Sequence, residues 1–445
     1  MPVVTPSEMA AVDAAAPEPV EVLVDRAARA VARIAVQMLG GTYGRRVTVL
    51  AGPGNNGADG RVAARHLERR GIRCRVVDAV DPPATLPAAD LVIDAAFGTG
   101  LARPYDPPAL PAGARVLAVD IPSGVDGLSG QLRGSPWAAE RTVTFAALKP
   151  GLVLEPGRSL AGEVTVVDIG LDVGEVRVHA VTDADMAPLV PRRDPDAHKW
   201  RAGLRIVGGS PGMTGAASLA ARAALRTGAG IVELCMPGGS GSEGPTEAVG
   251  RPLPRHDWAT EAAKGLDGRV RAMLVGPGLG RDEPASVVTL LGVGIPLVLD
   301  GDALVPEIVD ALRERPQPTV LTPHDGEWAR LGGSDDADRI GATASFAGTL
   351  GVTVIRKGST SIVADPTGEA RVVTSGSAAL ASAGTGDVLA GMTVALLARG
   401  LPAFDAATVA AHVHGRAGRE LGEGLLAGEL VDAIGPTLAA VRERR

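Results

Sequence analysis

Two periodicities alternate along the chain. Short apolar runs ending in Gly or Asp are followed by longer Ala- and Arg-rich stretches whose apolar positions recur at helical spacing. That alternation predicts an α/β protein built of βα units, with parallel sheets buried on both faces. In the first half the runs predict strands at 46–51, 72–77, 91–94, 115–120, 142–145 and 164–169, with helices at 20–39 and 60–70. The stretch 181–200 is broken by Pro188, Pro191 and Pro195 and crowded with charge, which predicts a boundary. A second series follows, with strands at 204–207, 231–235, 272–275, 296–300, 319–322 and 352–356 and helices at 215–227, 326–331, 386–398 and 405–419. The Gly/Ser-rich segment 238–244 predicts a mobile surface loop. No repeat recurs at fixed spacing, so the expected organisation is two different domains, 1–178 and 196–445, joined by a linker over 179–195.

Composition narrows the function. The 445 residues suffice for two or three full cores, and 45% apolar with 21% charged residues describes a globular chain. Aromatics are 2%, so the cores rest on Val, Leu, Ile and Ala. A net charge of −7 without a basic run argues against nucleic acid as a partner. With neither a long apolar span nor a leader-like segment, the sequence predicts no membrane association and a cytoplasmic location. Cys74 and Cys235 stand far apart, which excludes a disulfide framework or a zinc finger. Only Lys149, Lys199, Lys264 and Lys357 are lysine, against forty arginines, so a retained lysine is a candidate for a compact point charge.

In the first half, Gly52-Pro53-Gly54-Asn55-Asn56-Gly57 follows a predicted strand and opens a helix, and Asp78 ends the next strand. The spacing is that of a dinucleotide-binding fingerprint. Its side chains disagree, because Asn55, Asn56 and Asp59 put polar and anionic groups where bare N–H groups would cradle phosphates. An acid there suits a cation or a sugar hydroxyl, although Asn56 and Asp59 serve equally well as caps of the helix. Asp94 and Asp120 also stand at carboxyl ends of predicted strands, the edge where open α/β sheets bind ligands. Oxygen ligands from Asn56, Asp94 and Ser123 suit a hard cation. Asp120 is left as the candidate general base.

These loops, with Ala147-Leu148-Lys149-Pro150-Gly151, resemble the NAD(P)H-hydrate epimerase family over residues 1–175. The resemblance implies a Rossmann-like three-layer sandwich and epimerisation at C6 of a hydrated nicotinamide ring. It also implies that Asn55, Asn56, Gly57, Ala58 and Asp59, with Gly98, Thr99, Gly100, Leu101, Ala102, Arg103 and Pro104, hold the substrate. By the same resemblance Asn56, Asp94 and Ser123 bind potassium, and Asp120 contacts the substrate and moves the proton. Pro53 and Ala58 depart from the family's small or glycine residues, and Leu23-Val24-Asp25-Arg26 stands where Leu-Met-Glu is more usual.

In the second half, Gly384-Thr385-Gly386-Asp387 opens an apolar helix and presents N–H groups and a positive dipole end to an anion. Asp387 there is fit to take a proton from a hydroxyl during phosphoryl transfer, or simply to cap the helix. Lys357-Gly358-Ser359-Thr360 reads as a hairpin turn, either solvated or phosphate-facing. Gly276-Pro277-Gly278-Leu279-Gly280, Asp300 and Asp302, and His324 with Glu327 mark three more strand ends. His412 and His414, two residues apart on one helix, face different ways and are not read as a metal pair.

This assembly, with His198-Lys199 and Gly208-Gly209-Ser210-Pro211-Gly212-Met213-Thr214-Gly215, resembles the ribokinase-like superfamily, and within it the ADP-dependent NAD(P)H-hydrate dehydratases, over residues 190–445. The resemblance implies ADP along Lys357, Gly358, Ser359, Thr360 and Ser361 and at Gly386, with magnesium on its phosphates. Ala216, Gly278, His324 and Asp387 would contact the hydrated nucleotide. Trp200, Gly301 and Asp325 replace the family's usual Gly, Ala and Pro. The implied substrates are the hydrates NADHX and NADPHX together with ADP, which leaves as AMP and phosphate. Ribokinase-like domains often associate, so a homo-oligomer is compatible with the resemblance, although no patch demands one. Three rivals stay open: a vitamin or sugar kinase using ATP, a nucleotide-binding sensor, and an NAD-dependent oxidoreductase, the last disfavoured by the acid in its glycine loop.

Overall fold

The computed structural model describes residues 1–101, 103–193 and 195–444. Ala102, expected to hold substrate, lies outside the described residues. The chain divides into two compact units, Met1–Ala180 and Val181–Arg445.

In the first unit β1 (Arg46–Ala51), β2 (Arg73–Asp78), β3 (Leu91–Ala95), β4 (Arg115–Val119), β5 (Arg141–Phe145) and β6 (Glu163–Val167) form one parallel sheet in the order β2-β1-β3-β4-β5-β6. Central strands such as β3 are buried along their whole length, as parallel strands covered on both faces must be. The chain runs outward from β1 to β2 and then returns past β1 to β3, so the carboxyl ends of β1 and β3 flank the crevice where strand order reverses. The helices Val20–Leu39 and Asn55–Glu68 cover one face, with Val31, Ile34, Ala63 and Leu67 against Val49, Ile93 and Leu117. The other face buries Leu50 and Val92 under Leu86, Tyr105, Leu110 and Trp137, which come from non-helical segments. A short β7 (Val178–Ala180) bridges back to Pro2.

The helix expected at 60–70 begins earlier, at Asn55. Its glycines read as loop but serve close packing: a Cβ on Gly52 would lie 1.8 Å from the Ala96 carbonyl oxygen, and one on Gly57 would lie 1.8 Å from that of Gly52. The fingerprint-like spacing is therefore accounted for by contact between helix, β1 and the loop after β3.

The second unit carries β8 (Gly203–Val207), β9 (Ile231–Pro237), β10 (Val249–Leu253), β11 (Val270–Val275), β12 (Leu297–Leu299), β13 (Thr319–Leu321), β14 (Thr353–Arg356), β15 (Ser361–Ala364) and β16 (Ala370–Val373). They pair in the order β10-β9-β8-β11-β12-β13-β14-β15-β16, parallel as far as β14 and antiparallel beyond it. The turn at Lys357 is accordingly a β14–β15 hairpin. Strand order reverses between β8 and β11. The helices Thr214–Arg226, Thr385–Ala398, Ala403–Leu421 and Ala427–Glu443 pack in one core with Leu204, Ile206, Leu274 and Val298. The helix Thr385–Ala398 is buried almost all round, which explains its unbroken apolar sequence. The segment expected as a linker over 179–195 contributes Val181, Met186 and Val190 to this same core. Segment 238–244 is tied by its own hydrogen bonds, with Glu243 accepting from the Ser240 and Gly241 amides.

Candidate active sites

At the β1/β3 switch of the first unit lies a cavity of about 550 Å³. Asn55, Asn56 and Asp59 line it from the first turns of the helix Asn55–Glu68, and Gly98, Thr99, Gly100 and Leu101 from the loop after β3. Asp120 enters from the end of β4. Gly57 and Ala58 sit on the same helix and Arg103 and Pro104 farther along the same loop, but none of the four lines the cavity. Asp120 leaves β4 in the left-handed conformation, φ 67°, which Asp tolerates better than most residues. Its Oδ1 lies 2.7 Å from the Lys149 Nζ and accepts from the Thr144 hydroxyl at 3.1 Å. Lys149 is 2% exposed and donates further to Thr144 Oγ1 and the Phe145 carbonyl oxygen. Two more acids face the same space. Burial, reinforced by Asp120 and Asp13, pushes the Asp59 carboxyl up to about 8. The Asp13 carboxyl is raised by burial and by Asp120, against the pull of Lys149. The cavity thus pairs one acid with a buried ammonium and crowds two others towards their protonated form.

Asp94 and Ser123 are both buried. Asp94 Oδ1 accepts from the Ser123 hydroxyl at 2.6 Å, and Oδ2 accepts from the Ser123 amide at 2.9 Å. Burial raises the Asp94 carboxyl more than these hydrogen bonds lower it. Both polar side-chain atoms of Asn56 are buried without a hydrogen-bond partner. Among the described residues no three His, Cys, Asp or Glu side chains cluster as metal ligands, so a cation here would rest on mixed oxygen donors.

In the second unit the strand-end residues converge on Lys357. Its Nζ lies 2.8 Å from Asp300 Oδ1 and 3.5 Å from Glu327 Oε2, and Thr322 also donates to Asp300 Oδ1, at 2.6 Å. Burial opposes the Lys357 charge, but Asp300 and Glu327 hold the ammonium above the usual lysine range. Gly386 opens the helix Thr385–Ala398 directly beside it, since a Cβ there would stand 3.3 Å from Lys357 Nζ. Burial, with Asp300, Asp302 and Glu327 outweighing Lys357, pushes the Asp387 carboxyl up to about 7. His414, pushed down to about 4 by burial and therefore neutral, lies with Nε2 2.8 Å from the Thr385 carbonyl oxygen and ties down the start of this helix.

The remaining predicted residues take more modest places. Gly278 has φ +62°, and a Cβ on it would lie 2.6 Å from the Met213 carbonyl oxygen and 3.1 Å from Ala216 Cβ, so these two expected substrate contacts are neighbours. His324 caps its helix, with Nδ1 accepting from the Gly326 amide at 2.9 Å and Nε2 3.3 Å from Glu327 Oε1. Gly358, Ser359 and Thr360 form the hairpin tip and Ser361 opens β15, with the Ser361 hydroxyl donating to the Gly358 carbonyl. His412 pairs with Asp183, not with His414.

Comparisons with known proteins show the family. Residues 204–437 match the family described as NAD(P)H-hydrate dehydratase, and residues 20–87 and 78–151 match YjeF-related protein N-terminus. The bifunctional NAD(P)H-hydrate repair enzyme Nnr of Moorella thermoacetica is 35% identical over 520 positions, spanning 100% of this chain and 98% of the relative. This chain belongs to the bifunctional NAD(P)H-hydrate repair enzyme family. The Salinibacter ruber member is 37% identical over 89% of this chain and 88% of its own. Among solved structures, an ADP/ATP-dependent NAD(P)H-hydrate dehydratase from Bacillus subtilis, co-crystallised with ATP and Mg2+, aligns at TM-score 0.51 and 27% identity over 59% of this chain and 99% of that one. A ribokinase-like superfamily protein from Enterococcus faecalis shares the fold at TM-score 0.53 and 22% identity, over 61% of this chain and 98% of that one.

Within this repair-enzyme architecture, the sequence reading assigned no role to Lys149 or Asp13. Lysine scarcity was the available signal for Lys149: two of the four lysines, Lys149 and Lys357, stand buried or nearly so against carboxylates at the two sites. Asp13 has no signal, because it is one acid on a surface-like helix.

Proposed function

We propose that the chain epimerises NADHX and NADPHX in its first unit, and in its second dehydrates the (S)-epimers to NADH and NADPH at the expense of ADP. The observation that carries the reading is the Asp387 carboxyl, pushed up to about 7 beside the Lys357 ammonium at the start of a buried helix. A base of that strength is matched to taking a hydroxyl proton near neutrality. Asp387 takes the proton of the 6-hydroxyl, and the hydroxyl oxygen attacks the terminal phosphorus of ADP, forming the C6 phosphate ester as the bond to AMP breaks and AMP departs. The C6–O bond then breaks with the N1 electron pair assisting, phosphate leaves, and loss of a C5 proton restores the dihydronicotinamide. Phosphorylation replaces hydroxide by a far better leaving group. Lys357 and the helix start at Gly386 meet the charge on the transferring group, and Gly278, Ala216 and His324 flank the nucleotide. The hairpin residues Gly358 to Ser361 hold ADP. Magnesium on the phosphates of ADP would neutralise part of their charge.

In the first unit, Asp120 serves as the base for epimerisation at C6, with Lys149 holding its carboxylate and Thr99 offering an amide at 3.4 Å. The partnerless oxygen of Asn56, with Asp94 and Ser123, fits a potassium ion, which would compensate the buried Asp94 charge. The substrates are cytoplasmic nucleotides, and this reading puts the enzyme there. Among the described residues no helix is long and apolar enough to cross a membrane.

The test is recovery of NADH absorbance from a mixture of both NADHX epimers with magnesium and either ADP or ATP. Complete recovery with ADP is expected. Recovery halting near the (S) fraction would remove the epimerase assignment, and none would remove the dehydratase assignment.

A further inference from the structure

Asp325 follows His324 as the first residue of the helix Asp325–Arg330, and its Oδ1 accepts from two guanidinium groups at once, Arg339 Nη1 at 2.7 Å and Arg356 Nε at 3.1 Å. Arg339 opens the helix Arg339–Leu350 and Arg356 ends β14, so one carboxylate joins three segments that are separate in sequence. Arg356 is buried, lies over Trp328 with its guanidinium carbon 4.4 Å from the ring centroid, and keeps Nη1 buried without a hydrogen-bond partner. Burial and the neighbouring Arg339 pull this guanidinium down, and Asp325 and Asp335 oppose them. Without the Asp325 carboxylate two like charges would face each other, one of them buried.

The three segments meet at Lys357. Its amide donates to the Pro323 carbonyl at 2.8 Å, and its carbonyl accepts from Arg339 Nη2 at 3.1 Å. The same Nη2 would stand 3.4 Å from a Cβ on Gly358, so Arg339 lies against the hairpin tip as well. Glu327, two residues beyond Asp325, accepts from the His324 amide at 2.8 Å through the oxygen that lies 3.5 Å from Lys357 Nζ. The Lys357 ammonium is thus fixed by Asp300 and Glu327, and the Lys357 backbone by Pro323 and Arg339.

We propose that Asp325 is a positioning residue of the dehydration step: through Arg339 and Arg356 it holds the Lys357–Gly358 backbone where the hairpin grips ADP. This rests on the assignment of ADP to that hairpin under the proposed function. Asp325 acts at one remove, because Lys357 is the group that meets the phosphates and Asp387 is the base. Asp300 and Glu327 keep the ammonium in place without it, so its loss loosens the grip on ADP equally before and during phosphoryl transfer. Such a loss raises KM and leaves kcat in place.

The experiment follows dehydration of (S)-NADHX with magnesium while ADP is varied, on the full chain and on D325N, D325E and R339M, each checked by circular dichroism. D325N keeps the size of the side chain and removes its charge. It is expected to raise KM for ADP about tenfold, with kcat and KM for (S)-NADHX within about twofold of wild type. D325E should recover most of the loss and R339M should reproduce it. R339M added to D325N should cost little more, because both cut the same link. A purely structural role would lower Tm and leave KM for ADP unchanged. That result, a fall in kcat at unchanged KM, or D325E no better than D325N would each overturn the proposal. Calorimetric titration of the wild type with ADP separates two failures. No binding removes the nucleotide assignment and this proposal with it, whereas binding that D325N matches removes this proposal alone.

Discussion

Asp387 is crowded by Asp300, Asp302 and Glu327, and that crowding sets its chemistry and its cost together. With the carboxyl near 7, the ionised base disappears as pH falls below neutrality, so kcat/KM for dehydration should climb with pH and level off above about 7. A flat profile across that range would remove Asp387 as the base. The same group acts on stability with the opposite sign. Unfolded, the carboxyl ionises near the ordinary aspartate value of 3.8, whereas folded it keeps its proton until about 7. Between those values the folded state binds more protons, so this group's contribution to stability falls as pH rises. Asp387→Asn removes both effects: dehydration should drop by about 10²-fold or more, while the Tm of the variant relative to wild type rises between about pH 4 and pH 8. Lys149 presents the converse case. Lys149→Met leaves the Asp120 carboxylate without its buried partner, and should cost about 3–5 kcal/mol in denaturant unfolding near neutrality along with epimerase activity.

At the scale of elements, the start of the helix Thr385–Ala398 separates folding from function. Gly386 has an ordinary helical conformation, so Ala there should hold or slightly raise stability, by up to about 1 kcal/mol. Its methyl group would nevertheless stand 3.3 Å from Lys357 Nζ, in the space that the proposed function gives to an ADP phosphate. Gly386→Ala is therefore expected to keep its Tm and weaken ADP binding by about tenfold, the equivalent of roughly 1.4 kcal/mol. Unchanged affinity, read by calorimetry, would move the nucleotide elsewhere. Most elements of this kind were legible in the sequence, because parallel strands are short apolar runs and their carboxyl ends carry the Gly, Asp and His residues that form both sites. The start of the helix at Asn55 was not, since Gly54 and Gly57 look like loop until the backbone of Gly52 after β1 is seen pressed against Gly57. The helix Ala427–Glu443 escaped notice as well, its pattern interrupted by Pro436. Contacts set by tertiary approach, such as Asp13 with Lys149, leave no local periodicity to read.

At the scale of the molecule, the proposed function assigns the groups for each step to one unit. Asp120, Lys149 and Asp59 all lie within Met1–Ala180, and Asp387, Lys357 and Asp300 within Val181–Arg445. None of these residues belongs to both units, so the proposed function makes the free epimer the intermediate that passes between the steps. Two chains, each disabled in one step, should then repair each other's defect. Asp120→Asn alone should convert the (S)-epimer and stop, and Asp387→Asn alone should recover no NADH. Mixed, they should restore full recovery from both epimers, with the slow phase scaling with the amount of Asp387→Asn protein, after subtraction of a protein-free control. Each variant's fold is checked beforehand by circular dichroism, so failure to complement could not be laid to misfolding. It would mean that the epimer is handed over within one chain, and that the two sites act as a coupled pair despite their separate residues.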